Sequence, residues 1–148
     1  MRLSSMTDYA VLIMAAAARH CGGVRVSAGQ LAAETGLPVP TVQKLVSKLS
    51  GAGLMRSSRG VGGGLKLARP PGTITLADIV EAVEGPIALT ACLDKEKSDC
   101  TLEGSCNVKG HWPQVNAAVR GALAQVVLTQ LVGPQVAQAQ LVEEVVNV

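Results

Sequence analysis

Apolar residues recur at helical spacing in several stretches of this chain, and each stretch is closed by glycine or proline. Residues 5–19, SMTDYAVLIMAAAAR, carry Ala and Leu through several turns and predict a first helix, with Ser5 and Thr7 as capping residues at its start. GGV at 22–24 stops it. VSAGQLAAETGL then predicts a second, short helix, with Ser27 as N-cap, Leu31 and Ala32 turned inward, and Gly36 at the closing turn. Pro40 follows in a first-turn position, where its missing N–H is no loss. Val42, Leu45, Val46 and Leu49 form one apolar stripe beyond it, leaving Thr41, Gln43, Lys44, Ser47 and Lys48 on the exposed faces.

Two short helices joined by a tight turn, the second polar and basic outside, form a helix-turn-helix pattern. LMRSS and LKLAR alternate like two strands on either side of a glycine-rich tip, RGVGGG, which makes the unit a winged helix. PPGTITLADIVEAVEGP predicts a further helix, capped by Thr75, lined by Ile79, Val80 and Val83, and ended by Gly85 and Pro86. A polar stretch without periodicity, LTACLDKEKSDCTLEGSCNVKGHW, comes next, and a loop of that length inside a compact domain needs a purpose. From Pro113 to about Val132 helical spacing returns. Val115, Val119, Ala122 and Val126 form a seam, and Ala117, Ala118, Gly121 and Ala124 would let a second helix come close. The expected fold is mainly α with a small β-hairpin wing: a winged helix-turn-helix at 1–86, a cysteine-rich loop at 87–112, a long dimerisation helix at 113–133 and a C-terminal tail at 134–148.

Charge sharpens this picture. Between Thr35 and Ala77 stand six cations, Lys44, Lys48, Arg56, Arg59, Lys66 and Arg69, and no acid, whereas residues 78–148 carry four basic and nine acidic side chains. A basic middle beside an acidic remainder predicts a polyanion-binding surface on the winged helix. Pro40, Thr41, Gln43 and Lys44 would read a major groove from the second helix. Arg59, with Gly60, Gly62 and Gly63 around it, would approach the adjacent minor groove. Lys48, Arg56 and Lys66 would hold phosphates. The rival reading of the tip, a nucleotide-binding glycine loop, lacks the surrounding strand–helix–strand unit.

Cys92, Cys100 and Cys106 lie in the long loop with seven and five residues between them. Three thiolates on one segment suit an iron–sulfur cluster or zinc, and the absence of a close cysteine pair favours the cluster. A fourth ligand is open between His111 and Asp8, the latter on the first helix and able to come from the other subunit of a dimer. Cys21 stands alone at a helix end and reads as a bystander. No secretion signal and no apolar segment long enough to span a bilayer is visible, which predicts a cytoplasmic protein with reduced thiols.

The opening MRLSSMTDYAV, the wing RGVGGGLKLARP, the following ITLADIVEAVEG and the three-cysteine loop together resemble the family of iron–sulfur winged-helix repressors that includes IscR and NsrR, over about residues 1–132. EGPIALTAC and CNVKGHW look most like the regulators of the SUF cluster-assembly operon. The resemblance implies that Cys92, Cys100 and Cys106 bind a 2Fe–2S or 4Fe–4S cluster and that Gln43 reads bases. In IscR-type members a histidine three residues after the last cysteine completes the site, and that position is Lys109 here. In NsrR-type members the aspartate of the TDY segment ligates across the dimer, and this chain has it as Asp8. The function implied is a homodimeric repressor of iron–sulfur cluster assembly genes that binds an operator in double-stranded DNA, with no membrane or small-molecule substrate. A nitric oxide or redox sensor of the same family, a zinc-stabilised DNA-binding protein and an electron-transfer or enzymatic iron–sulfur protein are the alternatives; for the last the sequence offers almost no candidate nucleophile–base set.

Overall fold

The computed structural model describes residues 1–132 apart from Val24 and Ser98. The tail at 134–148 lies outside the described residues. Helix α1 spans Ser5–Arg19, and its N-cap is Ser4 rather than Ser5 or Thr7. Ser4 Oγ accepts a hydrogen bond from the Thr7 N–H at 3.2 Å. Thr7 itself is fully buried and its hydroxyl donates to Glu84 at 2.6 Å, so this residue ties two helices together instead of capping one.

Helix α2 (Ala28–Thr35) opens with a reciprocal capping box. Ser27 Oγ accepts from the Gln30 N–H at 3.1 Å, while Gln30 Oε1 accepts from the Ser27 N–H at 2.8 Å. Helix α3 (Val39–Gly51) buries Val42, Leu45, Val46 and Leu49, the stripe expected from its spacing. Strands β1 (Met55–Ser58) and β2 (Gly64–Leu67) pair antiparallel, with Met55 opposite Leu67 and Arg56 opposite Lys66. Val26 adds a bridge to the outer edge of β2, exchanging hydrogen bonds with Leu65 at 3.1 and 2.7 Å. Helix α4 (Leu76–Glu84) starts with a second capping box between Thr75 and Asp78, and helix α5 spans Trp112–Ala124. The winged helix and its hairpin are therefore as the sequence predicts.

Helix α1 is the spine of the core. Ala10, Ile13, Met14 and Ala17 are buried along it, and α2, α3, α4 and β2 all pack on it. Its alanines let these neighbours approach closely, while Leu31, Leu45, Leu49, Met55, Ile74 and Ile79 fill the space between them.

The helical stretch expected from 113 to 133 is interrupted. Helix α5 ends at Ala124, and residues 125–127 leave the helix so that the Val126 carbonyl accepts from the Leu76 N–H at 2.8 Å. Val127 forms an antiparallel bridge with Thr75, and the Leu128 N–H reaches the Ile74 carbonyl at 2.9 Å. A new helix starts at 128, with Leu128 fully buried in the winged-helix core. Tertiary pairing of two adjacent β-branched residues overrides the helical pattern here, and the apolar seam on α5 stops at Ala122. Between Val83 and Leu128 no described residue is buried.

Candidate nucleic-acid interface and thiol loop

Helix α3 presents Pro40, Gln43 and Lys44 to solvent, with Thr41 half-exposed beside them. Its first turn carries no acid and no side-chain cap, so its N–H groups and partial positive charge point outward toward any anion. At the wing tip Gly60 and Gly62 take φ of 91° and 76°. Gly63 is required for space, because a Cβ there would stand 2.5 Å from the Ser58 carbonyl oxygen. This tight turn leaves Arg59 exposed and projects Val61 fully into solvent.

The six cations of residues 35–77 fall into two groups. Lys44, Arg56, Arg59 and Lys66 are exposed and form no ion pair among the described residues. Arg56 and Lys66 stand directly opposite each other across the hairpin, an arrangement of like charges that disfavours the free protein and rewards an incoming phosphate. Lys48 and Arg69 have internal partners instead. The Lys48 ammonium donates to the Val83 carbonyl at 3.2 Å, at the C-terminal end of α4, where the helix dipole favours a cation. Arg69 donates to Asp78 at 2.9 Å and to the Thr73 carbonyl at 2.8 Å. Burial pushes the Asp78 carboxyl up, but hydrogen bonds from Thr75 and Arg69 outweigh it and hold the group below its ordinary value.

Where α4 ends, Glu84 gathers the start of the chain. It accepts from the Thr7 hydroxyl at 2.6 Å and the Ser4 N–H at 3.0 Å, and its pKa is lowered by hydrogen bonds from Ser4 first and Thr7 second, with a smaller contribution from the Lys48 charge. Sequence reasoning missed this knot of Ser4, Thr7, Lys48 and Glu84, since no local signal links residues 77 and 80 positions apart.

Beyond it the chain enters the thiol loop. Asn116 of α5 clamps the loop's entry, accepting from the Leu89 N–H at 3.0 Å and donating to the Ile87 carbonyl at 2.8 Å. A single Asn among Ala and Val on a helix is the only sequence trace of that contact. Cys92, Cys100 and Cys106 are free and half-exposed, and Cys21 is free and exposed. The Thr90 hydroxyl and the Cys92 thiol lie 3.1 Å apart. The Lys109 ammonium pairs with Glu103 at 2.7 Å. Its pKa is raised by the Glu103 hydrogen bond above all, and in smaller measure by charge on Cys92 and Cys100.

Among the described residues no group of three His, Cys, Asp or Glu is drawn together tightly enough to hold a metal ion. The donor set nevertheless fits a thiolate-bound centre in kind. It offers three unbridged soft ligands on one segment, and no described residue of that segment is buried to hold it against rearrangement. His111 is exposed and is the N-cap of α5. Asp8 is exposed in the first turn of α1 and lines a cleft of about 420 Å³ with Leu76 and Leu131.

Comparison with known proteins places the chain in a family. Residues 3–134 match the Rrf2 family, described as an iron-dependent transcriptional regulator. The HTH-type transcriptional regulator IscR of Xenorhabdus nematophila is 31% identical over 135 residues, covering 91% of this chain and 81% of that protein. Among solved structures, CymR, the global cysteine regulator of B. subtilis, superposes with a TM-score of 0.69 at 30% identity, covering 89% of this chain and 96% of that one. The IscR of T. potens gives a TM-score of 0.65 at 30% identity, with 88% and 85% covered. A match over nearly the whole described chain, on a winged helix with an unpaired basic face, makes the protein a member of the Rrf2 family of winged-helix, DNA-binding transcriptional regulators.

Proposed function

We propose that the chain is a homodimeric repressor of iron–sulfur cluster assembly genes that acts in the cytoplasm and adjusts its hold on an operator according to a cluster held by Cys92, Cys100 and Cys106. The observation that carries this reading is the placement of three free thiols on a long segment in which no described residue is buried. When bound, the cluster supplies a redox- and iron-responsive crosslink between thiolates. The protein's own residues do the rest. Asn116 fixes the loop entry to α5, Glu84 and Lys48 fix the end of α4 to α1 and α3, and the loop lies between these two anchors. A change of loop length or order therefore bears on both the reading helix and α5.

Helix α5 carries the dimer. None of its 13 residues is fully buried in the protomer, and Val115 is 42% exposed on a face of small residues. Burying that face against its counterpart in a second copy gives it the apolar contact that a helix of this composition requires. Gln43 and Lys44 then read a major groove, Arg59 a minor groove, and Arg56 and Lys66 hold phosphates. Asp8 of a partner and His111 are the two candidates for a fourth ligand.

Anaerobically purified protein should show visible charge-transfer absorption, and Cys100→Ser should remove it while leaving far-ultraviolet dichroism and the thermal transition in place. A colourless wild type carrying one zinc per chain would sink the cluster reading. The likeness to CymR, a cysteine regulator, supports a second reading in which the same thiols respond to small sulfur compounds without a cluster. Iron and acid-labile sulfide analysis of the wild type separates the two.

A further inference from the structure

The two DNA-reading elements are separated by a cleft of about 500 Å³ between α3 and the hairpin. Gln43, Ser47 and Ser50 line it from α3, Ser57 and Ser58 from β1, and Ser27 from the N-cap of α2. Five of the lining side chains are thus serines and none is charged, in the middle of the most basic part of the chain. Ser50 Oγ is buried and has no hydrogen-bond partner among the described residues. Ser27 Oγ already accepts from Gln30, which leaves its proton to donate.

When α3 lies in a major groove and the wing reaches the adjacent minor groove, the sugar–phosphate strand dividing those grooves has to cross between them. The cleft occupies that place. We propose that it seats a backbone phosphate of the DNA through serine hydroxyls, a site that works by neutral hydrogen bonds while the cations act at its margins. The inference rests on the DNA-binding reading and adds to it a subsite with its own signature. A lysine that neutralises a phosphate releases a counterion, so its removal lowers the dependence of binding on salt. A hydroxyl releases none.

Ser27 also caps α2, so the test uses Ser47 and Ser57, both exposed and free of that duty. Binding of a mixed-sequence duplex is titrated at several salt concentrations for wild type, the S47A/S57A pair and the S47T/S57T pair. The alanine pair should bind at least about tenfold more weakly at every salt concentration, with the slope of log K against log salt unchanged and the thermal transition in place. The threonine pair, which keeps both hydroxyls, should bind like wild type. Alanine-pair affinity within twofold of wild type, a shallower slope, or equal losses in both pairs would overturn the phosphate seat. A wild type that binds no duplex at any salt concentration would overturn the DNA-binding reading beneath it.

Discussion

Residues 7–83 and residues 84–127 are built on opposite terms. The first holds nearly all of the core, with α1 as spine and every helix capped or braced by its neighbours. The second contributes no described buried residue, although it contains a 13-residue helix and a loop of more than twenty residues. A region without its own core takes its order from elsewhere: from the Arg120–Glu81 ion pair and the pairing of Val126 and Val127 with Leu76 and Thr75, and, in the function proposed here, from a second subunit and a bound cluster. The contrast teaches where a signal can enter cheaply, because the free energy needed to rearrange a segment scales with the contacts it must give up.

Leu128 is the sharpest challenge to a division of the molecule at residue 86. It is fully buried against Ile74 and the rest of the winged-helix core, and its N–H bonds the Ile74 carbonyl. Leu128→Ala should destabilise the fold by about 2–5 kcal/mol in chemical denaturation, as large core truncations do. A chain cut at residue 86 should fail to give a cooperative transition. Neither loss would appear if the DNA-binding unit were self-sufficient.

Much of the first region was legible because its signals are local. Ser27 with Gln30 and Thr75 with Asp78 announce helix starts within four residues, Pro40 opens α3, and the glycine run can only be a tight tip. What escaped notice depends on distance along the chain. The return of 126–128 to residues 74–76, the seating of Lys48 on Val83 and the meeting of Thr7 with Glu84 are partnerships that no spacing rule encodes. In the second region the residue types were legible but their arrangement was not. Three cysteines and a nearby Lys109 speak to chemistry, whereas the loop that carries them lacks the apolar periodicity from which a conformation could be read.

The two lysines of α3 separate reading from bracing within the first region. Lys44 is exposed without an ion pair among the described residues, and Lys48 is bonded to the end of α4. Lys44→Ala should reduce the slope of log K against log salt by about 0.9, as expected for one released counterion. Lys48→Ala should leave that slope nearly intact and instead lower stability by about 0.5–1.5 kcal/mol, the typical worth of one hydrogen bond. Equal slope changes would mean that Lys48 leaves Val83 when DNA arrives, and would make the brace a part of the switch.

The smallest effect tests the seam between the two regions. Glu84 is held below its ordinary value of 4.5 by hydrogen bonds from Ser4 and Thr7, so its folded form binds a proton less readily than the unfolded chain does. Stability from this group is therefore present at neutral pH and is lost as pH falls below about 4.5, through the lower folded value. Glu84→Gln keeps the shape and an acceptor oxygen but cannot titrate. Chemical denaturation at neutral pH and at about pH 3.5 should show wild type losing more stability than the variant, by a modest margin because the carboxylate is exposed to water. Asp78 titrates alike in both proteins and drops out of the difference. Equal losses would show that the tie between α1 and α4 does not depend on charge.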